Sequence, residues 1–245
     1  TEYLIDKCDY IFIPRIANFG RDKIFCTKFS ALPDMAKNTF RDRQIKILTC
    51  NIDLRMGYGE ASAFMEIGKK LGKNKAVTFR AYQLAKRAEE RAEEAKEKLA
   101  EELLNKDGLK ILLVAHSYIA EDAYVGKQIT DMLNHMGVCV IPAEILRRDR
   151  AAKAGSELSP TLPWICNREL AGAVWEYKDI IDGIILMSAF PCGPDSMVND
   201  IIIRRIKGIP TLNLTVDAQD ATAGLETRLE SFVDILHFRE GERVI

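Results

Sequence analysis

Two hydrophobic periods alternate along this chain. Short, nearly continuous apolar runs closed by proline, glycine or a polar turn occur at Tyr10–Pro14, Ile45–Cys50, Lys110–Ala115, Val138–Ile141, Ile184–Ala189 and Thr211–Val216. Runs of that kind predict strands buried on both faces, as in parallel sheets. Between them lie stretches with helical spacing: Gly59 to Leu71, Asp122 to Met136, Asn167 to Tyr177, Met197 to Lys207 and Leu225 to Leu236. Ser30-Ala-Leu-Pro33-Asp34 reads as one more helix entry, with Ser30 as its N-cap. Strands that alternate with helices demand right-handed crossovers, and the fold class expected is α/β with parallel sheets.

One element breaks the alternation. From Val77 to Leu104, Ala81, Ala85, Ala88, Ala92, Ala95, Leu99 and Leu103 recur at steps of three and four. That is one narrow apolar stripe on a helix about 40 Å long, able to connect two units or to pair with a partner helix. Asn105-Lys-Asp-Gly108 ends it. The organisation expected is therefore two Rossmann-like units joined by a long helix: an incomplete N-terminal unit over residues 1–75, the connector over 76–107, and a C-terminal domain over 108–245. The charged and glycine-bearing passage Arg15 to Lys28 reads as a loop, and Arg147 to Pro163 as an irregular lid or partner-contact segment.

Composition narrows the function classes. With 35 basic and 36 acidic residues the net charge is -1, which supplies no nucleic-acid footprint and no polybasic membrane surface. No apolar run approaches a bilayer span and no secretory signal is visible, so the expectation is a cytoplasmic chain with reduced thiols. The six cysteines form no C-x-x-C pair.

In a parallel sheet all carboxyl ends lie on one rim, where open α/β folds keep their ligands. That rim should gather His116 with Tyr118, Glu144, Cys192 with Asp195, and Asp217. No G-x-G-x-x-G, P-loop or G-x-S-x-G accompanies them, which removes the dinucleotide, ATP and serine-hydrolase readings. Cys192 stands between Pro191 and Gly193-Pro194, directly before a helix whose positive end favours thiolate. A thiolate there is a metal ligand, a redox group or a nucleophile with His116 as base. Cys166, beside Trp164 and before a helix, is a second thiol of interest, whereas Cys50 and Cys139 read as structural.

The chain resembles the 2-hydroxyacyl-CoA dehydratase-like superfamily, in its activase-related iron–sulfur branch. The resemblance rests on Phe12-Ile-Pro-Arg15, Phe25-Cys-Thr-Lys-Phe-Ser-Ala-Leu-Pro-Asp34, His116-Ser-Tyr118, Phe190-Pro-Cys-Gly-Pro-Asp-Ser196 and Ala223-Gly-Leu-Glu-Thr-Arg-Leu-Glu-Ser-Phe-Val-Asp234. It implies two similar α/β domains around a cleft and an iron–sulfur cluster of the 4Fe-4S kind. It also implies a partner ATPase that passes electrons to that cluster, for radical dehydration of acyl-CoA or another difficult reduction. By the same resemblance Cys26 and Cys192 are the ligands this chain carries, and His116, Tyr118, Asp195 and Asp217 line the cleft. The family pattern begins earlier, with a further cysteine-bearing loop, so a partner subunit or segment is expected to supply another ligand. A homo-oligomer and a non-catalytic accessory subunit are the remaining expectations. Val216-Asp-Ala-Gln219 departs from a more acidic, histidine-containing run in relatives, so no dehydratase activity is carried over.

Overall fold

The computed structural model describes residues 1–189, 192–216 and 222–243. It is an α/β protein with parallel sheets, and it divides into two compact units, residues 1–91 with 163–165, and residues 92–162 with 166–245.

In the first unit, β1 (Ile11–Phe12) pairs in parallel with β3 (Ile47–Leu48), and β2 (Arg15–Asn18) with β4 (Asn51–Asp53). Ile11 faces Ile47 and Arg15 faces Asn51, so both pairs share one register. Ile13 donates to the Leu48 carbonyl and Arg15 to the Cys50 carbonyl, at 3.0 and 2.8 Å. The two pairs are thus one ladder interrupted at Pro14, which has no N–H to give. Ile11 and Ile13 pack on Ala36 of α1 (Thr27–Thr39). Phe12 points the other way, 6.5 Å from the ring of Phe64 on α2 (Glu60–Lys70). Cys50 and Ile52 bury against Ala63 of that same helix. This is the period-two alternation of a strand covered on both sides.

Two expectations for this unit need correction. The passage Arg15 to Lys28 is not all loop, because its first four residues form β2. The helix near Ser30 begins three residues earlier, with Cys26 as its N-cap, and Ser30 instead turns its hydroxyl back to the Thr27 carbonyl. Pro33 misled the reading: it lies inside the helix, in its second turn, and is buried.

α3 (Lys75–Leu104) is one unbroken helix of 30 residues, and the division between the units falls within it. Its buried side is not the alanine stripe. Thr78, Glu93 and Ala100 are the buried positions, while Ala81, Ala85, Ala88, Ala92, Ala95 and Leu99 are all exposed. Periodicity located the helix, and the side it buries is a different one, because Glu93 is drawn in by ionic partners rather than by apolar burial. Its carboxylate accepts from the Arg148 backbone N–H at 3.1 Å and pairs with Lys96 at 3.0 Å.

The second unit is a four-stranded parallel sheet. β5 (Lys110–Val114) and β7 (Gly183–Ala189) are central, β6 (Cys139–Pro142) flanks β5, and β8 (Thr211–Val216) flanks β7. Ile111 to Val114 and Gly183 to Ser188 are buried almost without interruption, as strands covered by helices on both faces must be. Fully burying a side chain such as Leu112 or Leu186 contributes roughly 1.5–3 kcal/mol. The covering helices include α5 (Gly126–His135), α7 (Ile165–Tyr177), α8 (Gly193–Arg205) and α9 (Thr222–Arg243).

Here too the structure corrects two readings. His116-Ser-Tyr118 is not an open loop: Ser117 begins the single turn α4 (Ser117–Ala120), with His116 as its N-cap. Arg147 to Pro163 is no lid, since most of it forms α6 (Arg148–Leu158), which buries Ala151, Ala154, Gly155 and Leu158. α6 and α7 approach at backbone distance. A Cβ on Gly172 would stand 1.8 Å from the Ala151 carbonyl oxygen, and one on Gly155 2.0 Å from that of Arg168. Small residues at 151, 154, 155 and 172, which look weakly patterned in sequence, are what that crossing needs.

Candidate functional site

The order β6-β5-β7-β8 reverses direction between β5 and β7. The chain leaves β5 for one side of the sheet, then returns to build on the other. At such a reversal the loops beyond the two carboxyl ends part, and a crevice opens between them. His116 follows β5 there, and Cys192 with Asp195 follows β7.

The second unit brings these groups together. His116 Nε2 lies 3.0 Å from Asp195 Oδ1, and its Nδ1 lies 3.6 Å from Glu144 Oε1. Asn167, in the first turn of α7, donates to the same Asp195 oxygen at 2.7 Å. The Tyr118 ring stacks on His116 with centroids 5.4 Å apart and remains largely exposed. Asp195 is 5% exposed. Its second oxygen, Oδ2, receives no conventional hydrogen bond. The Cys192 thiol, a weak donor, adds its influence to this carboxylate. Asp217 lies outside the described residues.

Charge in this cluster is set by the competition between burial and pairing. Burial alone would push the His116 imidazole down, but hydrogen bonds to Asp195 and Glu144, with their charges, outweigh it and hold it up at about 9. Burial would push both carboxyls up. For Asp195 the His116 contact dominates instead, with help from Asn167 and Cys192, and for Glu144 His116 and Ser117 do the same, so both carboxyls lie below their ordinary values. His116 is therefore a cation held by a carboxylate at each ring nitrogen. In that state the ring has no lone pair with which to take a proton from a thiol.

Glu169, also on α7, behaves in the opposite sense. Burial raises it, Arg148 offsets part of that, and Glu144 and Glu93 add to it, leaving its carboxyl at about 7. Sequence reasoning passed over both Asn167 and Glu169. The available signal was a run of three polar side chains, Asn167-Arg168-Glu169, in Ile165-Cys-Asn-Arg-Glu-Leu-Ala-Gly-Ala, otherwise an apolar helix start.

Cys192 is the N-cap of α8, with Pro194 in the first turn, and its side chain makes no capping bond. A Cβ added at Gly193 meets nothing within 4 Å among the described residues. In the first unit Cys26 repeats the setting as the N-cap of α1, again without a capping bond. Neither cysteine is in a disulfide, and both are half-buried. Cys50 is buried, its thiol pushed up by burial and by Glu66. Cys166 sits in the first turn of α7, half-buried and in no disulfide. Among the described residues no three His, Cys, Asp or Glu side chains are placed to hold a metal ion between them, and no helix is long and apolar enough to cross a membrane.

Residues 1–146 match the family model described as CoA enzyme activase uncharacterised domain (DUF2229). The chain belongs to this family. The match takes in Cys26, His116, Tyr118 and Glu144, and the activase-related domain ends before Asn167, Cys192 and Asp195 are reached. No curated protein and no solved structure matches the chain. Membership relates it to the activase and dehydratase system of enzymes and suggests a partner within such a system.

Proposed function

We propose that this chain is an iron–sulfur component of an activase-type electron-transfer system, with Cys26 and Cys192 as thiolate ligands. The observation that carries the reading is the placement of Cys192. It caps α8 at the sheet's switch point, with the Asp195–His116 pair directly behind it, in a chain of the activase-related family. Soft thiolates are the ligands iron–sulfur clusters take, and a helix N-terminus stabilises the negative charge they carry.

The donor set fits in kind and falls short in number. Each unit offers one half-buried thiol at a helix N-cap, so the remaining ligands are assigned to another polypeptide or segment. A bound cluster supplies one-electron transfer. The residues of the chain do the rest: α8 presents its unbonded first-turn N–H groups beside the sulfur, Asp195 ties the Cys192 turn to β5 through His116 and to α7 through Asn167, and Tyr118 covers the outer face of the imidazole. A partner ATPase of the same system is the proposed electron donor.

Anaerobic expression followed by iron and acid-labile sulfide analysis tests this. Iron and sulfide should copurify in comparable amounts, with an electron paramagnetic resonance signal on reduction. Each of the variants C26A and C192A should lose most of the iron. Iron-free protein from cells that load other clusters, alone and with the neighbouring ATPase, would sink the reading and leave a non-catalytic accessory subunit in its place.

A further inference from the structure

Cys166 is flanked on both sides by hydrogen-bonded links. On its N-terminal side, Pro163–Ile165 belongs to the first unit. There Trp164 bridges in parallel to Ile24: Ile165 donates to the Ile24 carbonyl at 2.9 Å, and Ile24 to the Pro163 carbonyl at 3.3 Å. Cys26 stands two positions beyond Ile24, and Cys166 two positions beyond Trp164. In a parallel ladder, residues equally far beyond a bridge are opposite numbers. Each chain turns into a helix at this point, α1 from Thr27 and α7 from Ile165.

On the C-terminal side the link lies within the second unit. Asn167, the next residue, donates to Asp195 Oδ1 at 2.7 Å. Asp195 is in the first turn of α8, the helix that Cys192 caps. That bond ties the first turn of α7 to the first turn of α8, and each turn carries its cysteine. Both helices have 13 residues, and each brings the N–H groups of its positive end to a sulfur, a setting that favours thiolate.

Asp195 also holds an unfilled acceptor between these two turns. Its side chain is 6% exposed, and Oδ2 is buried with no conventional hydrogen bond. Buried polar atoms are almost always partnered, and a buried charge is paired or faces a metal. A single ion would need three or four side chains drawn onto one point, which the described residues do not offer. A four-iron cluster asks for a wider set, because each iron takes one protein ligand and the thiolates stand apart around the core. The other thiols lack this setting. Cys50 is buried against Ala63, Cys139 turns to the Leu103 carbonyl and Cys8 to the Leu4 carbonyl, and none of them begins a helix.

We propose that Cys166 is a third thiolate ligand of the cluster assigned above to Cys26 and Cys192, an inference that rests on that reading. It returns to this chain one of the ligands otherwise left to another polypeptide, and a partner then has a single iron to complete.

Iron and sulfide analysis of the anaerobically expressed full chain tests this, with electron paramagnetic resonance of the reduced protein. C166A should lose most of its iron, whereas C139A keeps it. C166S should keep part of the iron with a shifted signal, since an oxygen ligand replaces sulfur. Iron-free C166A should melt within about 2 °C of iron-free wild type, which separates a ligand from a packing residue. In iron-free wild type, bis-maleimidoethane should join Cys166 to Cys192, read by mass spectrometry of the linked peptides. Full iron and an unshifted signal in C166A would overturn the inference and leave Cys26 and Cys192 standing. Iron lost only together with a lower iron-free melt, or thiols that react only singly, would overturn it too. Wild type that takes no iron at all would sink the underlying reading and this one with it.

Discussion

His116 Nε2 and Asp195 Oδ1 meet at 3.0 Å although 79 positions of sequence separate them, and they close the sheet's switch point from both sides. Both side chains are almost fully buried. A buried pair of this kind costs most when one member is removed, because the other is left charged and uncompensated.

His116→Asn should therefore destabilise the second unit by about 3 kcal/mol near pH 6. The pH dependence has a definite sign. The folded value of about 9 lies above the ordinary 6.5, so the contribution is fully present below about pH 6.5 and is lost as pH rises through 9. Urea unfolding at pH 6, 8 and 9.5 should show the gap between wild type and variant closing with pH. A gap that stays constant would mean His116 is not held as a cation.

Glu169→Gln should act in the other direction. The folded value of about 7 lies above the ordinary 4.5, so charging this carboxyl costs stability progressively between those values. The variant should match wild type at pH 4.5 and exceed it by about 3 kcal/mol at pH 8. Equal stability at pH 8 would place Glu169 in contact with enough water to charge freely.

The α6–α7 crossing predicts a reversal of a common rule. Glycine to alanine inside an exposed helix usually stabilises by up to about 1 kcal/mol. At Gly172 the added methyl would collide with the Ala151 carbonyl, a backbone atom that cannot turn aside, so Gly172→Ala should destabilise by about 3 kcal/mol. Gly193→Ala, where the methyl meets nothing, should leave the melting temperature within about 2 °C of wild type. Similar melts for both variants would contradict the close crossing.

The strands and the rim were legible from the sequence because apolar runs such as Lys110–Ala115 leave no alternative to burial on both sides. Once the strands are parallel, His116, Glu144 and Asp195 follow to one edge by topology alone. Their mutual bonding was not legible, since it depends on strand order, and order is set by which crossover packs best. α6 escaped detection for a local reason: its inward positions are alanine and glycine, chosen for close approach, and they carry too little hydrophobicity to write a helical period. The buried side of α3 was not legible for the converse reason. Five alanines in helical register look like a packed side, yet alanine buries little, and Glu93 turned inward instead because Lys96 and the Arg148 backbone N–H neutralise it there.

One consequence follows from where the family match stops. Residue 146 lies just beyond β6, and at that point β5 has acquired only one of its two neighbours. A polypeptide released there would carry Ile111, Leu112, Leu113 and Val114 along a naked parallel edge, with no β7 to pair their backbone and no α8 to cover them. Bare, flat and apolar edges recruit whatever strand they meet. A gene trimmed to the matched residues is thus expected to yield inclusion bodies, whereas one extended through Val216 and the helix after it returns the sheet to its full width. The family match, here, ends in the middle of a folding unit.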